Sequence, residues 1–356
     1  MADECACSFN HQESDRGLTR FDVCGLGNAI VDIFAEVDDA EFASLGFERG
    51  TMRLVDPDEQ QRLLLRFSDR NHDLRLVSGG SVANSIIALS QLGGTGAFIG
   101  CVGDDRYGLH YAEEFQDLRI HMGNPVIVSQ TTGTSVVLIT PDAERTMRTS
   151  LAVSSHLCDR HVDEDRIRHS TWLFVEGYVF ANPDTGQHAI RKAIEIAKKH
   201  GTKVAVTCSE AFIPEVFGDP FHEALKSTDL LFCNAPEAMA VTRKPTSIDA
   251  FQALRSLVPH CVVTDGGNGA FVRYEGDELH VPAFPCQPKD LTGAGDMFAG
   301  GFLYGITHGF APAVAARGAN FMASKVISQV GARLQEPASP LWEEGVETQR
   351  ADDVGG

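Results

Sequence analysis

Thr171-Trp-Leu-Phe-Val175, Lys203-Val-Ala-Val-Thr207, Leu230-Leu-Phe-Cys233 and Cys261-Val-Val-Thr264 recur through one stretch of the chain, residues 171–264. Each run is short and apolar, the pattern of a strand buried on both faces. Between them lie segments with helical spacing of apolar residues: Asp184 to His200, Glu215 to Leu225, Pro236 to Val241 and Ile248 to Val258. Strands alternating with helices build βαβ units. The expected fold class is therefore α/β, with a central, mostly parallel sheet flanked by helices.

Downstream, a hairpin (269–276 and 279–283) leads to Lys289-Asp290-Leu291-Thr292-Gly293-Ala294-Gly295-Asp296, then to the apolar run Met297–Leu303. Gly in a helix costs about 1 kcal/mol relative to Ala. Two at a helix entrance imply that something approaches the backbone closely. First-turn N–H groups lack helical partners and carry partial positive charge, which makes an anion site. Asp296 falls in that turn, and a carboxylate beside a transferring phosphoryl group can accept the proton of an attacking hydroxyl. These eight residues also fit a plain capped helix, with Thr292 or Asp290 as cap. Two helices follow, at 296–308 and about 312–329. The Pro-rich, acidic tail 336–356 is expected to be mobile.

Upstream, residues 1–19 are polar and expected to be disordered, and Phe21–Gly27 reads as a buried first strand. Gly25-x-Gly27 lacks the third glycine of a dinucleotide fingerprint, having Ile30 in its place, and Ile30–Val37 reads as a strand, so a Rossmann site is disfavoured. Thr51–Val55 is a further strand and Asp58–Phe67 a helix. Ser78-Gly79-Gly80-Ser81 opens a second Gly-rich helix start, and 134–140 with 145–149 forms a hairpin. This first third has more strands than βαβ alternation needs. The excess predicts a small separate β-sheet, a lid formed from parts of 28–56 and 120–150, within one domain spanning 20–335.

The formal net charge of −19 argues against a nucleic-acid surface. No apolar run approaches the roughly 18 residues of a membrane span, and the acidic N-terminus lacks a signal-peptide core. Nine cysteines, several in apolar runs, read as free thiols in a reducing cytoplasm. Cys5 and Cys7 lack a partner pair for a metal, and the 13 histidines show no ligand spacing. Two strand ends carry polar motifs. Asn234-Ala-Pro-Glu237 suits either a helix cap or a magnesium water shell. Thr264-Asp-Gly266-Gly-Asn-Gly269 suits a hairpin turn or the approach of a nucleotide at a parallel strand's carboxyl end. Neither a Walker A sequence nor a His-Arg-Asp kinase loop is present.

Gly79-Gly80-Ser81-x-x-Asn84 with Gly100-Cys-Val-Gly103-Asp104-Asp105-x-x-Gly108 resembles the first signature of the PfkB-type carbohydrate and nucleoside kinases, the ribokinase superfamily. Asp290-x-Thr292-Gly293-Ala294-Gly295-Asp296 resembles the second, and the two strand-end motifs fall between them in the family's order. The resemblance covers about 20–335. It implies that Asp296 is the catalytic base and that the amides of Gly293, Ala294 and Gly295 form an anion hole. It implies substrate contacts from Asn28, Asp32, Gly79, Gly80, Ser81 and Asn84. Apart from the resemblance, Arg145 on the lid hairpin is placed to swing onto the phosphates, or is an ordinary solvated surface arginine. Asn234 and Glu237 would organise Mg2+ and phosphate, while Thr264, Gly266, Gly269 and Asn320 would line the ATP site. Asp290 and Thr292 would hold a monovalent cation such as K+, although Leu291 stands where Thr is commoner. The implied activity is transfer of the γ-phosphoryl group of ATP to a small molecule, in the cytoplasm, by a monomer or homodimer.

Within the family, Ser81 after the two glycines is similar to the adenosine kinases; ribokinases usually carry Lys there. Tyr178 and Phe212 end strands at the same sheet edge and are similar to rings that pack on the nucleoside base. The implied acceptor is the 5′-hydroxyl of adenosine, with a sugar such as ribose or fructose as the alternative. A ligand-binding protein without catalysis would not need the intact Asp296 and Gly-Ala-Gly.

Overall fold

The computed structural model describes residues 20–68, 74–123, 126–142 and 144–347. The stretch expected to be disordered, 1–19, lies outside them, as do 348–356. The chain opens with β1 (Phe21–Leu26) and β2 (Ile30–Glu36), followed by α1 (Asp39–Ala43), β3 (Met52–Leu54) and α2 (Pro57–Ser68). Next come β4 (Arg75–Gly79), α3 (Ser81–Gln91), β5 (Gly96–Ile99), α4 (Arg106–Asp117), β6 (His121–Met122), β7 (Gly133–Ile139) and β8 (Arg145–Ser150). Then strands and helices alternate: α5 (Glu164–Arg168), β9 (Ser170–Glu176), α6 (Gly186–His200), β10 (Lys203–Thr207), α7 (Phe212–Val216), α8 (Gly218–Leu225), β11 (Leu230–Asn234), α9 (Ala235–Thr242), α10 (Ser247–Ala253) and β12 (His260–Thr264). The pair β13 (Ala270–Tyr274) and β14 (Asp277–Val281) precedes α11 (Ala294–Thr307), α12 (Pro312–Ile327) and α13 (Ala338–Glu347).

The large sheet runs β14-β13-β12-β11-β10-β9-β1-β5-β6. It is parallel from β12 to β6; β13 and β14 are antiparallel additions. Its parallel strands are apolar on both faces because helices cover both, which is why they read as continuous runs rather than alternations. One core forms on the face of α6 and α8, the other on the face of α3, α11 and α12. All parallel strands point their carboxyl ends to one edge, and Gly27, Glu176, Asn234 and Thr264 arrive there together.

The second sheet runs β3-β8-β7-β2-β4. Alternation along β2 separates its faces. Ala35, with Val136 and Leu138 of β7, packs with Phe42 of α1 and with Leu63 and Phe67 of α2. Asp32 and Phe34 instead face a cavity toward the large domain. Two details correct the sequence reading of this sheet. β4 belongs to it, pairing antiparallel to β2, whereas His121–Met122 joins the edge of the large sheet beside β5. β2 meets β4 across 41–49 residues and β5 meets β6 across 24, so neither pairing leaves a local pattern to read.

The tail is a further correction. Residues 338–347 are not mobile but form α13, which packs on α12. Ala338, Leu341, Trp342 and Gly345 are buried at helical spacing, so an amphipathic helix lies within an acidic composition. Trp342 is 3 % exposed and stands edge-on to Tyr304 and Phe310, in a notch that a side chain at Gly318 would fill.

Candidate active site

Two Gly-rich helix starts meet at the carboxyl edge of the large sheet. At one, Gly80 caps α3 with φ 106°. A Cβ there would lie 2.0 Å from the carbonyl oxygen of Asn28, so only Gly fits. At the other, Gly293 caps α11 in the left-handed region, with Ala332 against it. Asp296, in the first turn of α11, accepts a 2.7 Å hydrogen bond from the Ser81 hydroxyl at Oδ1 and a 3.0 Å bond from Asn84 Nδ2 at Oδ2.

Asp296 lines a cavity of ≈ 190 Å³ with Asn234, Glu237, Thr264 and Gly293–Gly295. It continues past Thr264, Leu291 and Gly295 into a cavity of ≈ 470 Å³ edged by Gly266, Gly269, Phe284 and Asn320. The Ala294 N–H, one of the three amides the resemblance gave to an anion hole, instead turns back to Leu291 O at 3.3 Å, a correction made by the tight turn into α11, and the Met297 N–H bonds Gly293 O at 2.8 Å. The intervening amides of Gly295 and Asp296 are the first-turn donors that an α-helix leaves without helical partners. A third cavity, of ≈ 220 Å³, lies between the small sheet and residues 330–335, with Asp32, Asn84, Arg145 and Thr292 in its wall.

Four carboxyl groups crowd this edge, and burial raises all of them. Asp296 is pushed up to about 6, against the lowering pull of Ser81 and Asn84. Asp32 is pushed up to about 7, against the charges of Arg333 and Arg145. Glu176 and Glu237 each reach about 7. Asp296 is held by two side-chain donors, Ser81 and Asn84. Its two side-chain donors favour the charged form, which suits a base at neutral pH.

Glu176 had no role in the sequence reading. It is 1 % exposed and accepts from Asn28 Nδ2 (2.9 Å), the Asn28 N–H (3.3 Å) and the Val82 N–H (3.2 Å). It therefore ties Asn28 to the start of α3, and Asn28 Oδ1 remains buried without a partner. A lone acid closing an apolar strand was the available signal. Arg333, also missed, contacts Glu114 and the carbonyl of Ser78, holding residues 330–335 against β4 and α4. Nothing in the surrounding sequence marks it.

Asn234 and Glu237 form a reciprocal capping box at the start of α9, with bonds of 2.8–2.9 Å. The cap and the lining of the Asp296 cavity thus coexist in the same two residues. Their oxygens suit a hard cation held through water, so the residues present fit Mg2+. Asn320 Nδ2 donates to Pro282 O at 2.7 Å, fixing the wall of the largest of these cavities. Tyr178 and Phe212 meet at a ring separation of 6.3 Å, with the Tyr178 hydroxyl 3.5 Å from Glu210. Neither ring borders the three cavities around Asp296. Arg145 pairs with Asp290 and bonds Thr292 Oγ1 at 3.3 Å.

The sequence profile described as pfkB family carbohydrate kinase matches residues 51–339. The adenosine kinase of Saccharomyces cerevisiae is 26% identical over 310 residues, 80% of this chain and 88% of that one. The ribokinase of Haemophilus influenzae is 28% identical over 238 residues, 64% of this chain and 74% of that one. Among solved structures, an adenosine kinase from Sinorhizobium meliloti superposes with a TM-score of 0.82 at 30% identity, covering 92% of this chain and 99% of that one. A "probable sugar kinase protein" from Rhizobium etli superposes with a TM-score of 0.81 at 28% identity, covering 94% and 99%.

Proposed function

Since the chain belongs to the pfkB family of carbohydrate kinases and is a phosphotransferase with an alcohol acceptor, we propose that it transfers the γ-phosphoryl group of ATP to the 5′-hydroxyl of adenosine. One observation carries the reading. Asp296 stands between the Gly-rich cavities on one side and Asn84 with the Asp32 cavity on the other.

Asp296 accepts the proton of the attacking hydroxyl. Ser81 and Asn84 hold its carboxylate in place and ionised. The first-turn amides of α11 receive the charge that grows on the transferred group, where the helix dipole favours it. Mg2+, when bound near Glu237 and Asn234, shares that charge. Gly266, Thr264 and Asn320 shape the nucleotide's side of the cleft. The small sheet covers the acceptor's side and excludes water, which would otherwise compete as acceptor.

Adenosine is favoured by Ser81, which follows the two glycines as in the adenosine kinases where ribokinases usually carry Lys, and by the paired rings of Tyr178 and Phe212. A purine face stacked on such rings gains roughly 1–3 kcal/mol. A sugar acceptor is the second reading, favoured by the charged lining of the Asp32 cavity and by the absence of both rings from it. The test is kcat/KM with ATP and Mg2+ against adenosine, other nucleosides, ribose and fructose. Adenosine is expected to rank first, and Tyr178→Ala to raise its KM at least about tenfold, the equivalent of one stacked base. Ribose or fructose ranking above adenosine establishes the sugar reading instead.

A further inference from the structure

The side chains that the family resemblance gives to a monovalent cation, Asp290 and Thr292, are already engaged. Asp290 is 7 % exposed. Its Oδ1 accepts the Thr292 N–H at 3.1 Å, and its Oδ2 accepts the Gly331 N–H at 2.6 Å. The Arg145 guanidinium contacts Oδ2 and donates to Thr292 Oγ1 at 3.3 Å. Arg145 is itself largely buried, with its guanidinium 5.8 Å from the centre of the Phe34 ring. A second positive charge beside it would meet strong repulsion in this low-dielectric setting, so the residues present do not fit K+.

We infer that Arg145 is a positioning residue that replaces the monovalent cation, its guanidinium supplying the charge that steadies Asp290 and Thr292. These residues directly precede Gly293–Gly295, so the ion pair braces the anion site. The source of the charge matters. A dissolved cation reaches the loop whatever the small sheet does, whereas Arg145 arrives on β8 of that sheet. The anion site is then braced only when the small sheet is seated, which couples closure to catalysis. A buried Asp290 left without its partner would be costly, because an uncompensated interior charge is strongly destabilising.

The inference rests on the kinase reading but not on the identity of the acceptor. The test uses the full chain in KCl, NaCl and tetramethylammonium chloride at equal ionic strength. It reads melting temperature with and without ATP and Mg2+, and kcat with whichever acceptor turns over best. Wild type is expected to give the same melting temperature and kcat in all three salts. Arg145→Ala should lower the melting temperature, since breaking a buried pair is destabilising, and should lower kcat by about tenfold or more by misplacing the anion site, and both readouts should recover partly in KCl alone. Arg145→Lys keeps the charge and should stay indifferent to the cation. A wild-type enzyme activated by KCl over tetramethylammonium chloride overturns the inference. So does an Arg145→Ala variant whose loss no cation relieves, since Arg145 then acts elsewhere, for instance on the phosphates. If Arg145→Ala does not fold, wild type and Arg145→Lys decide. If no acceptor turns over, the proposed acceptor fails and the melting temperatures still decide the cation.

Discussion

The starts of α3 and α11 are both Gly-rich and both read alike in sequence, yet their glycines answer different demands. At α3 the protein itself requires them: a Cβ on Gly80 would strike the Asn28 carbonyl, and one on Gly79 would come within 2.8 Å of Asp32 Oδ2. At α11 Gly293 is likewise hemmed in by Ala332, but beyond its chain neighbours and its own helix backbone nothing lies within 4 Å of a Cβ at Gly295. That space opens into the two cavities proposed for ATP. The α3 start is packed to position groups; the α11 start is left open for a ligand. Ser81 and Asn84 cross from the first to hold Asp296 in the second.

Four substitutions sharpen or break this contrast. Asp296→Asn removes the carboxylate that both helix starts share, and kcat is expected to fall about 10²–10⁴-fold, the usual value of a general base. Retention of more than a tenth of wild-type kcat would remove Asp296 from that role. The same variant has a signed pH signature. The folded-state pKa of Asp296 is raised from 3.8 to about 6, so the stability it contributes is present at low pH and lost as pH rises between those values. The melting temperature of Asp296→Asn relative to wild type should therefore improve from pH 4 to pH 8.

Gly80→Ala should act on folding first, lowering stability by about 1–3 kcal/mol through strain at φ 106° alone; thermal unfolding checks it. Gly295→Ala should do the reverse. It leaves melting unchanged or slightly raised, Ala being the better helix former, while kcat/KM for ATP drops by up to about 10²-fold, because the added methyl group, with the N–H retained, pushes the phosphate from its place. If Gly295→Ala instead unfolds the protein with ATP kinetics intact, the two starts do not differ as described. The smallest effect is expected for Ser81→Ala. Removing a donor to the charged form raises the pKa of Asp296. The acid limb of kcat/KM, which Asp296 is expected to set, should move to higher pH with the alkaline plateau little changed. A limb that stays put would mean that another of the four carboxyls controls it.

The same contrast marks the limit of what the sequence shows. Period and composition determined β1 and β9 to β14 of the large sheet, the hairpin of β7 and β8 and both helix starts, because each is written in neighbouring residues. The resemblance added the family. The tertiary structure alone decided what those residues do to one another. Ser81 and Asn84 reach Asp296 from 215 and 212 positions away. Glu176 gathers Asn28 and α3 beneath them, Arg145 sits on Asp290, and β4 joins the small sheet. Tyr178 and Phe212 find each other rather than the cavity walls. Hydrogen bonds and ion pairs at such separations depend on where the topology brings strand ends and helix starts together. A local pattern of apolar and polar residues carries no record of that placement.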